Sequence, residues 1–284
     1  MSTTIPHLLE PYLSLPEETS LIVLSSILGA STNWLLLRYL HSYLKSSPSP
    51  SPSVPPPNTT EPETALLLVS FLRDYSFFQQ SLSKLSLDLD SEARKGRFGF
   101  IDGLGGLYLP SSSTTPAVGQ GRRTIQNGND LKSVQKAVED GIAALSQQGG
   151  KKRQVVLVID QPDFLVASSS STAAGENPAQ RVRDMILDLR EKVHSCVITV
   201  SADDPLIHPS PTPTPLETNH SWFVLSLLHE ADMLCALRLL DTGTAKDVSG
   251  VVRITNSQES KKEDREYLYK VGGHGGVKVF ERGQ

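Results

Sequence analysis

Lysine is missing from the first 44 residues of the chain, and no GxxxxGK[ST] stretch occurs anywhere in it. That absence removes the counter-charge with which a phosphate-cradling loop meets the β- and γ-phosphates of a nucleotide. Cysteine is equally scarce. Cys196 and Cys235 are the only two, and neither has metal-ligand spacing. Both fall in apolar, strand-like runs, so buried free thiols are expected. Positive charge is not in excess. The formal net charge is −4, so no global basic field draws nucleic acid, and RNA contact needs a local patch or a basic partner. No long apolar run is present either. Leu21–Leu40 is rich in leucine, but Gly29, Ser31, Thr32, Asn33 and Arg38 break it, and a membrane span needs about 20 mostly apolar residues. The first 20 residues lack a basic start and an apolar core segment. The expected setting is the cytoplasm, and also the nucleus.

What the chain does have is QVVLVIDQPD, Gln154–Asp163. Its β-branched run from Val155 to Ile159 suits a strand buried on both faces in a parallel sheet. Asp160 stands where that strand leaves the sheet, the edge at which open α/β sheets bind ligands. In nucleotide-hydrolysing proteins an acid in this place holds magnesium. The complementary half of such a site would be strand Leu21–Leu28, a turn at Gly29 and a helix that Ser31–Asn33 can cap. The context is right and the residues are not. Gly29, Ser31, Thr32 and Asp160 are therefore positions of a degenerate nucleotide site. Ser31 and Thr32 read as a polar helix cap, and Asp160 as a relic or a turn-capping acid.

Strand and helix patterns alternate up to residue 240. Further strands are expected at Ala65–Leu72, Phe98–Ile101, Cys196–Ser201 and Met233–Leu240. Helices are expected after the Ser31–Asn33 cap, with Leu36, Leu37, Leu40 and Leu44 on one apolar face, and at Asp74–Leu85. Others follow an Asn129 cap, an Asn177 cap with Pro178 in the first turn, and residue 217. Val248–Thr255, Tyr267–Val271 and Val277–Phe280 then follow without a helix and should pair antiparallel. The fold class is α/β: a mostly parallel sheet, helices on both faces, and an antiparallel C-terminal extension. One domain is expected, with disordered insertions near 46–62, 110–128, 168–177 and 205–216. Ser46–Pro57 is serine and proline apart from Val54.

Other signals carry less. Asp241-Thr-Gly-Thr resembles the active-site turn of aspartic proteases, whose chemistry needs two such turns; a single copy in an α/β chain reads as a β-turn. His274 sits in a run of four glycines, which reads as a turn and not a metal site. Arg122 and Arg123, in a loose loop, and Lys151, Lys152 and Arg153, before the central strand, are small basic clusters. They are candidate RNA contacts set against a plain solvated surface. No catalytic residue, metal or cofactor is assigned.

Taken in order, these stretches resemble the Elongator complex protein 6 family. They are Leu21–Leu44 without the lysine, Leu66–Phe78, Phe98–Leu104, Val155–Ala167 and Ile198–Asp204. The resemblance implies a RecA-like fold and assembly with Elongator complex proteins 4 and 5 into a hetero-hexameric ring. It also implies tRNA binding by that ring in support of wobble-uridine modification, whose chemistry occurs in another subunit. It implies no enzyme activity for this chain alone. The alternative is a P-loop-like ATPase or kinase with an atypical phosphate site. If assembly is the function, apolar surface should be exposed on the isolated chain.

Overall fold

A computed structural model describes residues 5–45, 63–108, 121–125, 127–128, 130–147, 153–169, 177–208, 211–240, 245, 247–257, 264–273 and 275–282. The strands are β1 (Ser20–Ser26), β2 (Thr64–Ser70), β3 (Phe98–Asp102), β4 (Arg122–Thr124), β5 (Gln154–Asp160), β6 (Ser195–Ser201), β7 (Met233–Arg238), β8 (Gly250–Asn256), β9 (Arg265–Val271) and β10 (Val277–Phe280). The helices are α1 (Glu10–Leu13), α2 (Asn33–Lys45), α3 (Tyr75–Ser83), α4 (Leu89–Arg94), α5 (Gly103–Tyr108), α6 (Leu131–Ser146), α7 (Asp163–Ser168), α8 (Pro178–Arg190), α9 (Asp204–Ile207) and α10 (Pro215–Glu230).

The strands form one sheet in the order β10-β9-β8-β7-β1-β6-β5-β2-β3-β4. From β7 to β4 every pairing is parallel. From β7 to β10 the pairings are antiparallel, which is the expected meander. Side-chain alternation makes two cores of this single sheet. Leu24, Leu66, Val156 and Val158 join the core under α2 and α3. Val23, Leu67, Leu157 and Ile159 join the core under α6, α8 and α10. Because both faces are covered, the central strands are apolar without interruption. Cys196 and Cys235 lie in these cores as free thiols, and burial pushes both up to about 12.

Local chemistry sets the helix starts. Asn177 accepts from the Ala179 N–H at 2.9 Å, with Pro178 in the first turn. Thr214 and Glu217 form a capping box at α10. The cap of α6 is Asp130, which accepts from Lys132 N–H, and not Asn129, which lies outside the described residues.

Several expectations need correction. The 110–128 region is not wholly loop: Arg122–Thr124 pairs parallel with β3 as an edge strand. Ser168 closes α7. Within 205–216, α9 ends at Ile207 and α10 begins at Pro215. Helix α2 buries Leu36, Leu40 and Leu44 as expected, but its burial extends beyond that face. Trp34, Arg38, His41 and Tyr43 are buried along with its leucines, whereas Leu37 is only half-buried. The reason is cover from two sides: α1 packs on it, and Arg38 donates to the Gly275 carbonyl of the β9–β10 turn at 2.8 Å. The expected insertion at 46–62, and the readings of Asp241–Thr244 and of His274, lie outside the described residues.

One close approach ties the fold to the carboxyl edge of the sheet. A Cβ on Gly103, the first residue of α5, would lie 2.4 Å from the Phe71 ring and 3.0 Å from the Ser70 carbonyl oxygen. Phe71 is buried, so its ring has little room to yield. Gly103→Ala is expected to cost about 1–3 kcal/mol by urea unfolding; an unchanged midpoint would contradict this packing.

Candidate functional site

At the carboxyl edge, β2, β5 and β6 end in register: Ser70 lies opposite Asp160, and Asp160 opposite Thr199. Parallel neighbours in this register bring both hydroxyls to one carboxylate. The Ser70 hydroxyl donates to one Asp160 oxygen at 2.9 Å, and Thr199 Oγ1 donates to the other at 2.8 Å. Arg73, three residues beyond the end of β2, closes the cluster. Its guanidinium meets the two carboxylate oxygens at 2.9 and 2.8 Å. Arg73 N–H donates to the Ser70 hydroxyl, and the guanidinium lies 5.2 Å from the Phe77 ring centre. Asp160 is 0% exposed. An acid that would hold a metal is instead held by a cation of its own chain.

The turn after β1 reaches the same edge, with β6 between it and β5. Gly29 has φ +91°, and a Cβ there would lie 3.4 Å from Leu239. Ser31 Oγ accepts from the Asn33 N–H at 3.2 Å, and the Thr32 carbonyl accepts from Leu36 N–H, so both serve the start of α2. Leu28, not a polar group, projects from the turn, 87% exposed. Its N–H donates to Asp203 at 2.6 Å. The structure thus gathers Gly29, Ser31, Thr32 and Asp160 on one edge.

The basic candidates divide. Arg122 pairs with Asp90 and lies 3.5 Å over the Tyr75 ring. The Tyr75 hydroxyl bond, and then Arg122, hold the Asp90 carboxyl below its usual range. Arg153 binds Glu63 at 2.9 Å and the Gly96 carbonyl at 2.8 Å. Arg123 is exposed on the edge strand. Lys151 and Lys152 lie outside the described residues. Among the described residues, no group of three or more metal-ligating side chains occurs, and no helix is long and apolar enough to cross a membrane.

Sequence reading missed Arg73 and also Asp163. The signal for Arg73 was a cation just past a strand whose last residue is serine. Asp163 opens α7 and is buried. One of its oxygens has no hydrogen-bond partner. Burial pushes its carboxyl up to about 6, while His220 and the backbone bond from Ser201 pull the other way. His220 itself is anchored to the Ser201 carbonyl at 2.9 Å.

The sequence model of the family described as Elongation complex protein 6 matches residues 61–272, more than half of the chain. No curated protein matches the sequence. Among solved structures, the chain is similar to an uncharacterized protein from Pyrococcus horikoshii in complex with an unknown peptide. The TM-score is 0.62 at 12% identity, with 100% of both chains covered. It is also similar to a KaiC-like protein from Pyrococcus horikoshii OT3, at TM-score 0.56 and 11% identity, covering 99% of this chain and 98% of that one. The flagellar accessory protein FlaH from Methanocaldococcus jannaschii gives TM-score 0.56 at 12% identity, covering 93% and 90%. These likenesses carry the fold alone, and the fold is RecA-like.

Two outcomes follow from the geometry. Arg73→Ala leaves a buried carboxylate unpaired and is expected to cost about 3–5 kcal/mol, read by urea unfolding. Arg73→Met combined with Asp160→Asn should recover more than half of that loss; no recovery would mean the pair is not what the single variant breaks. For Asp163, the raised folded pKa means the native state keeps a proton that the unfolded chain has lost. Its contribution is full below pH ~4 and is lost as pH rises through ~6, about 2–3 kcal/mol in all. Asp163→Asn should remove that part of the decline; parallel stability curves from pH 4 to 7 would contradict it.

Proposed function

The chain belongs to the Elongation complex protein 6 family, and from that premise we propose that it is a non-catalytic subunit of a hetero-hexameric RecA-like ring. Its ring partners are Elongator complex proteins 4 and 5. The ring binds tRNA and supports wobble-uridine modification carried out by another subunit of Elongator. The observation that carries the non-catalytic reading is the Arg73–Asp160 pair. Magnesium at a strand-end acid needs free carboxylate oxygens, and here Arg73, Ser70 and Thr199 hold both of them. The strand–turn–helix that would cradle phosphates supplies no lysine before Lys45.

The alternative, an ATPase or kinase with an atypical phosphate site, would have to break that pair before binding a metal. Removing one partner of a buried pair costs several kcal/mol, and a bound metal would have to offset it.

RNA contact, on this reading, is a property of the assembly. The net charge of −4 gives the isolated chain no steering field. Arg122 and Arg153 are spent on internal acids. Arg123 is the exposed cation among the described candidates. Apolar surface suited to assembly is present: Leu28, Leu216, Trp222, Leu225 and Leu239 are all exposed.

Affinity-tagged chain expressed with Elongator complex proteins 4 and 5 is expected to recover both in a single species of hexamer size. That species should retain tRNA where the isolated chain does not. Recovery of neither partner, or ATP turnover by the isolated chain, would overturn this reading.

A further inference from the structure

The chain between α9 and α10 carries a run of alternating prolines: residues 209–215 read PSPTPTP. Two of its threonine–proline pairs, Thr212-Pro213 and Thr214-Pro215, lie among the described residues, and every residue from Pro211 to Leu216 is exposed. A residue before proline is held out of the helical region, and Thr214 is extended, at φ −69° and ψ 157°. The proline that follows brings no N–H to the backbone. An enzyme that gives that nitrogen no partner accepts proline there and rejects other residues, whose N–H would be buried unpaired. The run thus presents two hydroxyls in the form that a proline-directed protein kinase takes up.

The two hydroxyls are not equivalent. Thr214 is committed to the start of α10. Its hydroxyl donates to Glu217 Oε2 at 2.8 Å and accepts from Glu217 N–H at 3.3 Å, and its own N–H donates to Oε2 at 2.7 Å. Those bonds, the backbone one first, hold the Glu217 carboxyl below its usual range. A phosphoryl group arriving at Thr214 therefore meets a carboxylate. The residues after Thr214 cannot be drawn out straight either. Pro215 opens α10, and the helix is fastened from its second turn, where His220 meets the Ser201 carbonyl at 2.9 Å and the Ser221 hydroxyl donates to the Ile207 carbonyl at 2.9 Å. Thr212 stands ahead of this cap and takes no part in the capping box.

We infer that Thr212 is a phosphorylation site for a proline-directed protein kinase, and that Thr214, although proline follows it too, is shielded by its capping box. In the step, Thr212 Oγ1 attacks the γ-phosphorus of the kinase's ATP. The bond from that phosphorus to the β,γ-bridging oxygen breaks, ADP leaves, and the hydroxyl proton passes to the kinase's base. The product adds about −1.5 to −2 charges to a chain whose net charge is already −4. That charge lies outside α10, so it marks the surface without unfolding the helix. Opening a capped helix start is enough for about a tenfold difference in rate between the two threonines.

The experiment is labelling of the full chain with ATP and a cyclin-dependent kinase, with phosphopeptides mapped by mass spectrometry. Wild type, Thr212→Ala, Pro213→Ala and Glu217→Ala are compared, each with its melting curve. Thr212 should be labelled about ten times faster than Thr214. Pro213→Ala should abolish label at Thr212, and Glu217→Ala should raise it at Thr214 while leaving Thr212 unchanged. Thr212→Ala should lose that label and melt as wild type does. The full chain recovered from a eukaryotic host under phosphatase inhibition should carry phosphate at Thr212. An unmodified Thr212 in either setting, label confined to Ser210 in this run, label that persists in Pro213→Ala, or equal rates at Thr212 and Thr214 would overturn the inference.

Discussion

The Arg73–Asp160 pair depends on three strands ending at one level. Ser70, Asp160 and Thr199 are laterally paired across β2, β5 and β6, so one carboxylate receives a hydroxyl from each side. The remaining charge must be answered from above the sheet edge, and Arg73 does so. A buried carboxylate without that cation would be strongly destabilising. The surroundings are built to keep the arginine in place. Phe71 is trapped against Gly103, Phe77 lies under the guanidinium, and Phe71 N–H donates to the Asp160 carbonyl at 3.0 Å. The carboxylate at this strand end is held by an internal ion pair.

With the Asp160 carboxylate paired to Arg73, the turn after β1 stands on the same edge with no lysine of its own. What survives there is scaffold. Ser31 and Thr32 serve the first turn of α2, Gly29 supplies a left-handed backbone, and Leu28 points outward. The RecA-like sheet keeps the geometry that lines such turns up along one edge.

The sheet was legible because its central strands are long, β-branched and covered on both sides. Val155–Ile159 could be little else, and the alternation with helices fixed the parallel class. The antiparallel close followed from strands without intervening helices. Edge and cover were not legible. Strand β4 is three residues, two of them arginines, and Arg122 is held by Asp90 and Tyr75 from distant segments. Burial of α2 beyond its leucine face comes with α1 and the β9–β10 turn, which its own periodicity cannot report. The degeneracy of the phosphate turn was plain from the missing lysine. The fate of Asp160 was not, since its three partners come from β2 and its following turn and from β6, and only the register brings them together.

Titration calorimetry of magnesium-ATP into the isolated chain tests the central point most directly. If Arg73 fills the place of the metal, no saturable heat should appear at millimolar nucleotide. A one-site isotherm of micromolar affinity that disappears in Asp160→Asn would contradict the account.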